Sequence, residues 1–281
     1  MPLPKPIFVH VHVPKTAGTS LNQLLTEWFK DQHLSLYHSP THVYSPDELN
    51  EIVAKNPNVV SLASHSIRSF QPLLGGRPAL YYCFLRNPID RFISGLTFVK
   101  KNYRWLSEEH RQSYPDNVET MPLKDLVLLR LQKESEAKLK GNWLNRFFTV
   151  RLYRSQNAFL QGGNDLPKFV NDENEHFQNT SLPLAMAILD GFALVGLTEK
   201  FEDSVQALRA LIHSFGLTIP PLDLPQANVS KELREDLSWI TTQDELGRAV
   251  LRLMDNDILL YKYGQKRFLQ TTEQISKYHF C

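Results

Sequence analysis

Little in this sequence would fasten a chain together by covalent or metal cross-links. Only two cysteines, Cys83 and Cys281, stand among 281 residues. Two are too few for a disulfide framework or a cysteine-ligated metal site. No apolar run approaches the roughly 20 residues that a membrane-spanning helix needs. No low-complexity linker and no internal repeat is evident, so one large domain is expected rather than a string of small ones. Neither sign of charge dominates: 31 Lys and Arg face 30 Asp and Glu, a formal net charge of +1. That balance argues against a general nucleic-acid binder. The first apolar segment begins about six residues after Met1. That leaves no room for a signal peptide, and a cytoplasmic location is expected. The sequons Asn179-Thr180-Ser181 and Asn228-Val229-Ser230 are expected to be chance matches there.

What is present is an ordinary globular composition, 42% hydrophobic and 22% charged, long enough for a sizeable core. Residues 6–13, 34–37, 58–63, 80–85 and 192–196 read as strands. Residues 18–30 and 88–100 read as helices. Another helix starts at Ser45-Pro46-Asp47-Glu48, with Ser45 as cap. A further one carries Phe201, Val205, Leu208, Ile212 and Phe215 on one face. Residues 104–165 are helical in pattern, and the tail from Lys231 to Tyr263 is mostly helical with an interruption near Thr241. Strands alternating with helices predict a P-loop-like α/β fold: a mainly parallel central sheet, helices on both faces, and helical insertions. Ligands in such sheets bind beyond the carboxyl ends of the strands. Lys15, His65 and Arg86 therefore converge there.

The most informative stretch is Pro14-Lys15-Thr16-Ala17-Gly18-Thr19-Ser20-Leu21. It joins the strand Ile7-Phe8-Val9-His10-Val11-His12-Val13 to a helix whose Leu21, Leu24, Leu25 and Trp28 share one face. Gly18 lets backbone approach a ligand closely. Thr19 and Ser20 bring hydroxyls and N–H groups to a helix start, which favours anions. Lys15 adds a full positive charge. This is a phosphate-binding loop, yet Walker A places Lys directly after its last Gly, and here Lys15 precedes Gly18 by three. A second motif, Leu80-Tyr81-Tyr82-Cys83-Phe84-Leu85-Arg86-Asn87-Pro88-Ile89-Asp90-Arg91-Phe92-Ile93-Ser94, is a buried strand ending in Arg86. Asn87 can cap the next helix and Pro88 suits its first position.

Two stretches lack acids. Lys55, Arg68, Arg77 and Arg86 lie between Ile52 and Ile89. Lys138, Lys140, Arg146, Arg151 and Arg154 lie between Ala137 and Asn164, among Trp143, Phe147, Phe148 and Tyr153. Such runs are usually solvated faces; in a protein that holds a multiply charged nucleotide, some line its cleft.

The loop resembles the 5′-phosphosulfate loop of sulfotransferases that use 3′-phosphoadenosine 5′-phosphosulfate (PAPS). The motif about 70 residues later resembles the same superfamily's 3′-phosphate site. Three further segments resemble its carbohydrate branch. They are Arg154 to Gly162, Val195-Gly196-Leu197-Thr198-Glu199-Lys200-Phe201-Glu202-Asp203-Ser204, and Asp255-Asn256-Asp257-Ile258-Leu259-Leu260-Tyr261. That branch comprises the 2-O-sulfotransferases of heparan and dermatan and the related bacterial sulfotransferase family 2 proteins.

The resemblance implies one sulfotransferase domain over residues 1–281. Its nucleotide-binding core would be 6–100 and 190–216, an acceptor-side helical insertion would be 104–180, and C-terminal helices would be 231–263. It implies transfer of a sulfuryl group from PAPS to a hydroxyl, leaving adenosine 3′,5′-bisphosphate, with no metal required. Lys15, Thr16, Ala17, Gly18, Thr19 and Ser20 would cradle the 5′-phosphate, with Lys15 on the departing oxygen. Arg86 and Ser94 would hold the 3′-phosphate. Ser230 and Lys231, in a late segment, are weaker candidates for the nucleotide. His65 would be the general base, although Ser64 stands before it where the branch more usually has Gly. A histidine at a strand end can equally serve by bonding a backbone carbonyl. His12 is the rival, with a structural or acceptor-side role, and Arg146, Arg151 and Arg154 are acceptor-side candidates. The acceptor would be a carbohydrate or another hydroxyl-bearing molecule. Two other classes stay open: an ATP-dependent P-loop kinase, and a non-catalytic nucleotide-binding protein of the same fold.

Overall fold

A computed structural model describes residues 4–36, 42–68, 70–106, 108–111, 114–139, 155–161, 181–221 and 237–278. They fall into two compact units. The first comprises Met1–Asn87, Gln156–Asn228 and Asn256–Cys281, and the second Pro88–Ser155 and Val229–Asp255.

The first unit is built on a six-stranded sheet. Its strands are β1 (Ile7–Val11), β2 (His33–Ser35), β3 (Ser61–Ser64), β4 (Leu73–Leu74), β5 (Arg77–Leu85) and β6 (Leu194–Leu197). β2, β3, β1 and β5 lie side by side in that order, all parallel. β6 pairs in parallel with the last residues of β5, and β4 pairs antiparallel with its first two. Every residue of β1, β3 and β6 is buried. That is how strands covered on both faces read: as continuous apolar runs rather than alternation. The mainly parallel α/β sheet expected from the sequence is the one found.

Helices cover both faces. α1 (Gly18–Phe29) follows β1 and α2 (Pro46–Lys55) follows β2. Phe8 on β1 lies 6.5 Å from Phe29 at the end of α1 and 6.0 Å, edge-on, from Phe215. Phe215 ends the helix that follows β6, which spans Phe201–Ser214. The opposite face takes the later part of a long C-terminal helix, Glu245–Tyr278, where Gly264 rests against Leu85 and Val195. A Cβ on Gly264 would stand 2.6 Å from Leu85 Cδ1. Gly264 therefore lies inside the helix as a point of close approach. The helix runs on to 278, well past the stop expected near 263. α2 starts as expected, with a reciprocal capping box: Ser45 N–H donates to Glu48 and Glu48 N–H to Ser45 Oγ.

β5 starts three residues earlier than its apolar run suggests. Gly75 and Gly76, both with positive φ, turn β4 back onto it, the geometry of a two-residue type I′ hairpin. Arg77 then fastens the sheet's far end, donating to the carbonyls of Lys5 at 2.8 Å and Val59 at 2.6 Å. Lys55 pairs with Glu51 on an exposed helix face. Two cations of the first acid-free run thus serve the fold. Cys83 is fully buried, and burial pushes its thiol well above the ordinary range, which makes it inert.

The second unit contains α3 (Pro88–Asn102), α4 (Glu108–Arg111), α5 (Leu123–Leu139) and the first turns of the C-terminal helix. Its buried side chains include Phe92, Leu96, Val118, Leu123, Leu126, Val127, Trp239, Val250 and Met254. Lys124 pairs with Asp244 at 2.9 Å. Most of the stretch 140–180, including Arg146, Arg151 and Arg154, lies outside the described residues, as do Ser230 and Lys231. Among the described residues no helix is long and apolar enough to cross a membrane.

Gly196 sits where β6 meets β5, and a Cβ there would lie 2.7 Å from the Phe84 ring. The ring is fully buried and has nowhere to go. Gly196→Ala is expected to lower stability by about 1–3 kcal/mol, the usual cost of overpacking a tight core. A urea titration checks this, and an unchanged midpoint would contradict it.

Candidate active site

The carboxyl ends of β1, β3 and β5 meet at one edge of the sheet, and the chain there carries the polar groups. After β1, the residues Lys15 and Ala17 adopt left-handed backbone, with φ of 68° and 62°. Neither is glycine, so the loop holds strain of roughly 1–3 kcal/mol per residue, a pattern that concentrates at functional sites. Thr16 is buried, and its hydroxyl donates to the Val13 carbonyl at 2.8 Å, closing the turn. Ala17 is the N-cap of α1 and supplies no side-chain cap, and the first turn carries no acid. The N–H groups at the start of α1 are thus left for an anion rather than for a capping oxygen. Thr19 is exposed and Ser20 half-buried at that end.

Lys15 is drawn below its ordinary pKa by burial and, next, by Arg86. The two cations are neighbours: Arg86 Nη1 donates to the Lys15 carbonyl at 3.3 Å. No ion pair to Arg86 occurs among the described residues. Two adjacent cations beside an uncapped helix start suit a multiply charged anion such as a nucleotide phosphate. Ser94 lies half-buried on α3, in the second unit.

His65 follows β3 directly. Its Nδ1 lies 2.6 Å from the His12 carbonyl. A carbonyl only accepts, so Nδ1 carries the proton, and in the neutral ring Nε2 carries the lone pair. Bonding a backbone carbonyl and acting as a base are therefore compatible roles for this ring. Ser64, in the place where Gly would be usual, donates its hydroxyl to Leu36 O at 2.8 Å and accepts from Ser66 N–H at 3.0 Å. Its side chain thus stitches the turn that presents His65.

The His12 ring lies face to face with His65, centroids 3.8 Å apart. Behind it stand His10 at 5.2 Å and then Tyr82, 5.2 Å further on. β1 makes this row, because alternation puts residues 8, 10 and 12 on one face, and register sets His10 opposite Tyr82. Burial, then the fields of neighbouring histidines, holds His10 down to about 3 and His12 down to about 2. Burial also lowers His33 to about 4, against a raising bond to Ser61. All three are neutral at pH 7. A neutral, half-buried His12 held so far below its ordinary pKa is poorly suited to be the proton acceptor.

A family model described as "Sulfotransferase family" matches residues 3–264. The chain belongs to the sulfotransferase family. Members transfer sulfuryl groups to hydroxyl-bearing acceptors and generally use PAPS. No curated protein matches this chain.

Within this sulfotransferase fold, several residues that support the site went unassigned in the sequence. Gln156 is fully buried; its side chain accepts from Arg86 N–H at 3.0 Å and donates to Arg86 O at 2.9 Å. Asp257 in turn accepts the N–H groups of Gln156 and Asn157 at 2.6 and 2.8 Å, capping a short helix, Gln156–Leu160. Glu199 accepts Asn87 N–H at 2.8 Å and Tyr261 OH at 2.7 Å. Thr198 donates to Leu85 O. Arg68 donates to the His65 carbonyl at 3.1 Å and stacks over Phe159 at 4.3 Å. Apart from Arg68, which lies in the first acid-free run, these residues fall in or beside the segments singled out by resemblance, but one-dimensional spacing carried no sign of whom they would meet. Among the described residues no cluster of three His, Cys, Asp or Glu could hold a metal.

The three depressed histidines give a pH dependence of stability. Each is neutral when folded and takes a proton near pH 6.5 when unfolded. Their stabilisation is complete above that value and is lost as pH falls toward the folded values. Unfolding free energy is expected to fall with a slope of up to about 1.4 kcal/mol per pH unit for each histidine below pH 6. His10→Phe should flatten the slope by about one proton's worth. Stability unchanged between pH 7 and 5 would show that these rings are not held neutral.

Proposed function

We propose that this chain transfers the sulfuryl group of PAPS to a hydroxyl of a carbohydrate, with His65 as general base and Lys15 on the leaving side. The observation that carries the reading is the pairing of Lys15 and Arg86 with a histidine whose Nδ1 is committed to the His12 carbonyl. PAPS supplies the sulfuryl group and a phosphate leaving group. Lys15, Thr16, Ala17, Gly18, Thr19 and Ser20 hold its 5′ side, and Arg86 with Ser94 its 3′-phosphate. Ser230 and Lys231 are added as nucleotide contacts on resemblance alone. His65 Nε2 takes the acceptor hydroxyl's proton as the oxygen bonds to sulfur. Lys15 meets the charge that grows on the departing phosphate oxygen. The carbohydrate branch is supported by the three resembling segments. Arg146, Arg151 and Arg154 are the acceptor contacts proposed from the acid-free run. One sulfotransferase domain is proposed for residues 1–281, because a single family match runs through both compact units. A kinase is disfavoured by the placement of Lys15 three residues before Gly18.

Two substitutions separate chemistry from binding. His65→Ala is expected to leave the affinity for adenosine 3′,5′-bisphosphate nearly intact. It should cut radiolabelled sulfuryl transfer, followed on a glycan panel, by roughly 10²–10⁴-fold. Arg86→Ala should weaken the bisphosphate by roughly 10–100-fold, the loss of charge-assisted contacts. Calorimetry showing equal loss of nucleotide in both variants would make His65 a nucleotide ligand instead of the base.

A further inference from the structure

We infer that His12 is a positioning residue, wedged between Gly18 of the phosphate loop and the ring of His65, that holds His65 in one orientation and one tautomer. The inference rests on reading His65 as the base and gives His12 a role toward that base rather than toward the acceptor.

Gly18 and His12 touch so closely that no side chain fits between them. A Cβ built on Gly18 would overlap the His12 ring at Nε2. The glycine at the start of α1 is thus required by the imidazole as well as by close approach to a ligand. On its other side the His12 ring stacks on His65 at 3.8 Å with planes 28° apart. His12 O takes the proton of His65 Nδ1, and His12 N–H donates to Ser64 O at 3.0 Å. One residue therefore touches the base through its ring and its carbonyl, and the strand before the base through its amide. Behind His12, the stacked His10 and Tyr82 are fully buried and leave it little room to retreat. The ring can do this only while neutral, because a charge there would face His10 and His65 in a poorly solvated site. The phosphate loop and the base are consequently held to one distance by a single side chain.

Nitrogen-15 spectra of the imidazoles in the full chain test this without any substrate. In the unsubstituted protein His65 is expected to show the Nδ1-protonated tautomer. His33 should show the opposite one, since its Nε2 donates to the Asn22 side-chain carbonyl at 3.0 Å, and it serves as the folding control. In His12→Ala the His65 signals should shift toward the average of the two tautomers while those of His33 stay in place. Gly18→Ala, which keeps both histidines but pushes His12 aside, should shift His65 in the same direction, and it decides the matter if His12→Ala loses the His33 signals. Unmoved His65 signals in a variant with intact His33 would overturn the inference and leave His65 as base untouched. An Nε2-protonated His65 in the unsubstituted protein would instead overturn the base assignment on which the inference rests.

Discussion

Two like charges are held side by side where β1 and β5 end, and the site depends on that. Burial depresses Lys15, and Arg86 depresses it further. The backbone that carries Arg86 is fixed by buried polar groups. Gln156 grips Arg86 at both its N–H and its carbonyl, Asp257 grips Gln156, and Glu199 grips Asn87. The carboxylates of Asp257 and Glu199 are spent on backbone N–H groups of this support.

The same economy of charge governs the histidines beside the loop. A row of rings, Tyr82, His10, His12 and His65, runs from the buried sheet to its edge. Only neutral imidazoles can be packed this way. The two inner histidines, His10 and His12, are accordingly held far below the ordinary imidazole range.

Features set by a few neighbouring residues were legible in the sequence. The strand, loop and helix around Gly18 fall where periodicity puts them, and the helix starts after Ser45 and at Pro88 fall where their capping residues put them. Lys15, His65 and Arg86 each follow the carboxyl end of a parallel strand, as the sequence placed them. Features that depend on distant partners were not legible. Gln156 lies 70 residues from Arg86 and 101 from Asp257, and nothing local distinguishes it from any other buried glutamine. Gly264 reads like the end of a helix until Leu85 is seen beneath it. Arg77 and Arg86 look alike in the acid-free run, yet one binds carbonyls at the far end of the sheet and the other reaches the loop. The Gly75-Gly76 hairpin was within reach of local reasoning, but its short strand was hidden by having only two residues.

The central claim is that the loop and Arg86 form a site for a nucleotide carrying phosphates at both 5′ and 3′ positions, independent of a metal. A thermal melt of the full chain in a chelating buffer, with adenosine 3′,5′-bisphosphate, with adenosine 5′-monophosphate, and separately with ATP and magnesium, tests it most directly. A ligand that binds only the folded state stabilises it by RT ln(1 + [L]/Kd) and so raises the melting temperature. The bisphosphate is expected to raise it most with no metal present, the monophosphate much less, and ATP with magnesium less than the bisphosphate. The reverse ranking, with ATP and magnesium stabilising the chain and the bisphosphate inert, would contradict the account.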